Sequence, residues 1–123
     1  MDKKNYKLGG VLVMKKIREN LRKDQIAECK GYMRWYRVID GELRLFINEK
    51  ALNEHGEKLN NVYYTKNIAH LCVNGIDYCN KFYERFKDLP VRVYIKSDGG
   101  SLYNEYEVKS FGICDKGLKV VFA

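Results

Sequence analysis

Apolar residues recur along this chain with two different periods, and the change from one to the other divides it. Val11, Met14, Ile17 and Leu21 are spaced by three and four residues. This predicts a helix over about 11–23 with one apolar stripe and a basic back of Lys15, Lys16, Arg18, Arg22 and Lys23. Val11-Leu12-Val13 also fits the opening of a strand. From about Ile26 the period becomes two. Tyr32 to Ile39 and Glu42 to Asn48 are rich in β-branched and aromatic residues, and Asp40-Gly41 between them tolerates the positive φ of a tight hairpin turn. Asn48 is suited to cap a short helix, with Glu49 near its positive end and Gly56 as a left-handed stop after His55. Val62 to Thr65 and Ile68 to Val73 read as strands. Asp77 is placed to cap a second helix that turns Ile76, Cys79, Phe82 or Tyr83, and Phe86 inward and Lys81, Glu84, Arg85 and Asp88 outward, until Pro90 ends it. Three closing strands follow, Val91 to Lys96, Tyr103 to Ile113 and Leu118 to Phe122, with turns at Asp98-Gly99-Gly100 and Asp115-Lys116-Gly117.

Strands bunched on either side of a helix predict an α+β fold with an antiparallel sheet, either open or curled into a small barrel. It has two main helices and a C-terminal three-strand meander. Residues 11–123 form the single domain, and residues 1–10, with their lysines and Gly9-Gly10, form a flexible basic arm. The length of 123 residues, 46% of them apolar, supports one core and excludes two full domains. No apolar run approaches the roughly 18 residues of a membrane span, and Val11 to Met14 is too short for a signal peptide, so the reading is cytoplasmic. Reduced thiols are then expected at Cys29, Cys72, Cys79 and Cys114. His70, Cys72 and Cys79 have zinc-binding chemistry but lack tight ligand pairs and a fourth donor, which favours small buried hydrophobes over a metal site. No cofactor is implied.

Charge alters this picture. The net charge is 23 − 16 = +7, and residues 1–37 hold eleven basic and four acidic groups, so the whole excess lies in the first third of the chain. Such asymmetry is the footprint of a protein that meets a polyanion or an acidic protein surface. In the first hairpin, basic and aromatic residues interleave: Lys30, Tyr32, Arg34, Trp35, Tyr36 and Arg37, then Arg44 and Phe46. A two-residue loop sets Arg37 opposite Arg44 and Trp35 opposite Phe46, on one face with Met33, leaving Tyr36, Val38, Leu43 and Leu45 to the other. One extra loop residue would regroup the outward set as Arg34, Tyr36, Arg44 and Phe46. Facing arginines repel unless something negative lies over them; phosphate does this, and bases stack on the neighbouring rings. The alternative is that the rings fill the core and the arginine stems cover apolar surface.

For catalysis the parts are few. There is no phosphate-cradling glycine loop, no HExxH and no GxSxG, and a small metal-independent ribonuclease would depend on His55 in Glu54-His55-Gly56-Glu57. A histidine at a helix end is more simply a cation at the negative dipole end, so the expectation is non-enzymatic. The C-terminal pattern Lys87-Asp88-Leu89-Pro90, Val91-Arg92-Val93-Tyr94-Ile95 and Tyr106-Glu107-Val108-Lys109-Ser110-Phe111 resembles small accessory proteins of phages and mobile elements. The resemblance implies a compact protein that binds, and in some cases blocks, a host macromolecule. It carries no site residue. The leading expectation is nucleic-acid binding through Lys15, Lys16, Arg18, Arg22, Lys23, Lys30, Arg34, Trp35, Arg37, Arg44 and Phe46; the alternative partner is an acidic surface on a host protein machine. Mimicry of DNA conflicts with a charge of +7.

Overall fold

A computed structural model describes residues 14–29, 31, 34–57, 61–64 and 75–123. The expected arm over 1–10 and the strand Ile68 to Val73 lie outside the described residues, as do Lys30, Met33, His70 and Cys72. The architecture is α+β, with two open sheets. The elements run β1 (Lys16–Leu21), α1 (Lys23–Ile26), β2 (Tyr36–Ile39), β3 (Glu42–Asn48), α2 (Glu49–His55), β4 (Gly56–Glu57) and β5 (Val62–Tyr64). They continue with α3 (Gly75–Phe86), β6 (Val91–Lys96), β7 (Tyr103–Tyr106), β8 (Val108–Cys114) and β9 (Gly117–Phe122). One sheet has the order β1-β7-β6-β3-β2 and the other β4-β5-β9-β8.

The first hairpin is as its turn dipeptide dictates. Asp40 and Gly41 both have positive φ, 54° and 73°, which matches the right-handed twist of the flanking strands, and Arg37 pairs with Arg44. Asn48 caps α2 by accepting a hydrogen bond from the Lys50 amide at 2.8 Å. Gly56 is not a left-handed stop: its φ of −87° is extended, and α2 runs directly into β4. Asp77 lies inside the first turn of α3, paired to Lys81 at 3.1 Å, because the helix already begins at Gly75.

Two expectations fail for non-local reasons. The basic helix over 11–23 is absent across its described part: residues 16–21 are an edge strand that pairs with β7, followed by the one-turn α1. Its three- and four-residue apolar spacing is absorbed by two bulges, where Tyr106, Glu105 and Tyr103 answer Lys16, Arg18 and Leu21, and by a left-handed Asn20 with φ 56°. Bulges in an exposed edge also discourage pairing with a further strand. The C-terminal meander is likewise divided. Near Glu107 the chain leaves one sheet for the other, so β7 pairs with β6 and β8 with β9. The Glu107 amide donates to Lys15 O, and its carbonyl accepts from Ala123. Among the described residues pairing is antiparallel except between β3 and β6, which run parallel.

The main core lies between one face of the five-stranded sheet, α3 and the four-stranded sheet. Leu43, Leu45, Ile47, Val93 and Ile95 meet Cys79, Phe82 and Phe86 of α3 and Tyr63, Leu118, Val120 and Phe122. The amphipathic spacing of α3 thus buries Cys79, Phe82 and Phe86 of the expected face, with Lys81, Glu84, Arg85 and Asp88 exposed; the expected inward side chain of Ile76 lies outside what is described. A smaller cluster covers part of the opposite sheet face, where Ile26 and Ala27 at the end of α1 pack on Phe46, Tyr94 and Tyr103.

Candidate polyanion-binding face

Strand alternation sends Glu42, Arg44 and Phe46 of β3, Arg92, Tyr94 and Lys96 of β6, and Tyr103 and Glu105 of β7 to the face away from α3. In this register Arg37, Arg44 and Arg92 occupy directly paired positions on three adjacent strands. Arg18 on β1 is paired with Glu105 on the same face. Three like charges in a row are unfavourable unless counterions lie among them.

Two carboxylates supply part of that compensation. Glu42 Oε1 accepts from Arg44 Nε and Nη2 at 3.2 and 3.0 Å, while its Oε2 accepts from Arg92 Nε at 2.7 Å. Glu105, only 2% exposed, accepts from Arg92 Nη1 at 2.9 Å and from Arg18 Nε at 2.8 Å. Arg18 Nη2 also donates to the Tyr94 hydroxyl at 3.3 Å. Arg44 Nη1 donates to Ile26 O at 2.8 Å, which ties α1 to the row. Burial alone would raise the Glu42 carboxyl, but the hydrogen bonds and charges of Arg92 and Arg44 outweigh it and hold the group below its ordinary value. The hydrogen bond to Glu42 raises the Arg92 guanidinium, and that to Glu105 raises Arg18. Three guanidinium groups, Arg18, Arg44 and Arg92, therefore share two buried or half-buried carboxylates, with the exposed Asp40 3.7 Å from Arg44. Arg37 is exposed and has no ion pair among the described residues.

The expected site residues divide between this face and elsewhere. Arg18, Arg37 and Arg44 come together, and Phe46 lies beside them, but it is buried against Tyr94 with ring centroids 5.7 Å apart. Lys23 opens α1, with Arg22 as its N-cap residue, and α1 crosses the same face. Trp35 is separated from them. It sits in a bend before β2, where its backbone carbonyl still accepts from Phe46 N, but the indole turns to the α3 side and stacks on Phe82 at 4.8 Å. The core outbids solvent for the largest apolar surface in the hairpin. Arg34 lies over the Tyr36 ring at 5.7 Å, and Tyr36 packs edge-on to Phe82. Lys15 is paired to Glu107 at 3.6 Å and Lys16 to Glu19 at 2.9 Å. The stacking platform expected on the hairpin is thus not present among the described residues; what remains is a guanidinium row.

Sequence reading missed Arg92, Lys96, Glu42 and Glu105. The alternation in Val91-Arg92-Val93-Tyr94-Ile95-Lys96 marks Arg92 and Lys96 as sharing a face, but only the parallel β3–β6 register places Arg92 beside Arg44. His55, half-buried at the end of α2, has Glu54 Oε1 3.8 Å from its Nε2. Among the described residues no group of three or more His, Cys, Asp and Glu could hold a metal ion, and no helix is long and apolar enough to cross a membrane. Cys79 is buried in the main core. No family model, curated protein or solved structure matches the chain.

Proposed function

We propose that the protein binds nucleic acid, without catalysis, through the face of the five-stranded sheet that carries the arginine row. One observation carries this reading: Arg37, Arg44 and Arg92 stand side by side, with Arg18 two strands further on, and this set contains more guanidinium groups than carboxylates. Arg37, Arg92 and Arg18 keep much of their surface in water, so phosphate oxygens can reach them without unfolding anything. Arginine suits the role because its planar fork meets phosphate through two parallel hydrogen bonds. The contacts are to backbone phosphate rather than to base edges, so binding is weakly sequence-dependent.

Anisotropy titrations of a labelled single-stranded oligonucleotide across a salt series test this. For about three to five neutralised phosphates, log K should fall against log salt with a slope of about −2 to −3.5. Arg37→Glu, which breaks no ion pair among the described residues, should weaken binding about ten-fold and flatten the slope. A salt-independent affinity, or an unaltered one in that variant, overturns the reading.

A further inference from the structure

Beyond the row, the same sheet face ends in a cleft of about 670 Å³ between α1 and the segment joining β6 to β7. This is within the range of about 300–1,000 Å³ typical of pockets for small organic ligands. Among the described residues its cations are Arg22, Lys23 and Lys96, and its one carboxylate is Asp24. Arg22 Nε is hydrogen-bonded to Asp24 at 3.1 Å. Lys23 Nζ donates to Gly31 O at 2.6 Å, a partner that offsets none of its charge. The Lys96 ammonium has no ion pair or hydrogen bond among the described residues. The described lining residues therefore carry 3 − 1 = +2, in a concavity whose protein walls concentrate the field.

That residual charge discriminates among phosphates. A phosphodiester carries a single negative charge, whereas a phosphate monoester carries about −1.5 to −2 at neutral pH. The monoester is the better match. The cleft also has an apolar side: Leu102 is 43% exposed there, and Tyr103 contributes to the lining. A nucleoside can rest on such a surface while its phosphate meets the amines.

We propose that this cleft binds a nucleotide through a phosphate monoester, with the phosphate among Lys96, Lys23 and Arg22 and the nucleoside over Leu102. One source of that group is the phosphorylated end of a strand lying on the arginine row, and to that extent the proposal rests on the nucleic-acid reading. The other source is a free nucleoside monophosphate, which requires no strand.

The test compares one oligonucleotide with a 5′-phosphate or a 5′-hydroxyl, and adenosine monophosphate with adenosine, on the full chain and on Lys96→Met. The terminal phosphate should improve affinity about ten-fold, the gain expected from charge-assisted hydrogen bonds. Lys96→Met should abolish that gain and leave the 5′-hydroxyl strand within about three-fold, while Arg37→Glu weakens both strands alike. A phosphate-dependent gain assigns the strand end as the source. Adenosine monophosphate bound in preference to adenosine, without any such gain, assigns the free nucleotide. Equal strand affinities with no preference for adenosine monophosphate overturn the cleft site and leave the nucleic-acid reading intact. Failure of every probe to bind overturns both.

Discussion

The two faces of the five-stranded sheet are made from alternate residues of the same strands, yet they solve opposite problems. Toward α3, Leu43, Leu45, Ile47, Val93 and Ile95 are close to fully buried, and the interaction is area removed from water. On the other side Arg44, Arg92, Glu42 and Glu105 hold each other by directed hydrogen bonds, and Arg92 remains nearly half in water. One face stabilises by exclusion. The other stays charged, arranged and partly open, at some cost in desolvation. The difference separates what folds the chain from what is left available for a ligand.

The comparison breaks first on the core face. Phe82 packs against Trp35, Tyr36 and Phe86 with ring centroids 4.7–4.8 Å apart, so Phe82→Ala should cost about 3–5 kcal/mol in urea unfolding. A loss below about 1 kcal/mol would show that the aromatic cluster is not part of the core. On the charged face, Glu105→Ala should cost about 2–3 kcal/mol by the same measurement. That is less than a wholly buried pair, because Arg18 and Arg92 are 49% and 42% exposed and regain water when their partner is lost. Unchanged stability would mean that the carboxylate is dispensable.

The smallest effect concerns acid. The Glu42 carboxyl lies below its ordinary value of 4.5 in the folded protein, so on acidification the unfolded chain takes up the proton first. Its stabilising contribution is full above that ordinary value and is lost as pH falls through the folded one. Glu42→Gln should therefore cost about 1–2 kcal/mol at neutral pH, with the gap from the parent narrowing as the pH falls below that ordinary value. A gap independent of pH would remove the carboxylate from the clamp.

What could be read in the sequence follows the range of each interaction. The Asp40-Gly41 turn, the Arg37–Arg44 pairing and the inward face of α3 depend on neighbours within a few residues, and each is as the local pattern dictates. The parallel pairing of β3 with β6 and the pairing of β1 with β7 join distant segments, and no local signal reports them. The mistaken N-terminal helix has the same origin: Met14, Ile17 and Leu21 have helical spacing, and only the bulged pairing with β7 explains a strand there. The site was legible by halves. Arg18, Arg37 and Arg44 converge, but whether an indole faces water or Phe82 is decided by a helix more than forty residues away.

The parallel pairing also constrains how the protein is made. The first residue of β6 follows the last of β3 by 91 − 48 = 43 positions, so a ribosome adding about 5–20 residues each second needs roughly two to nine seconds to supply it. Throughout that interval the newborn hairpin has its greasy side uncovered and one edge unpaired, conditions that recruit chaperones or invite aggregation. The strand synthesised first must wait longer still for β7. Closure of this sheet thus waits until β6 and β7 have both been made, and pairing between strands so far apart in the sequence predicts slow folding.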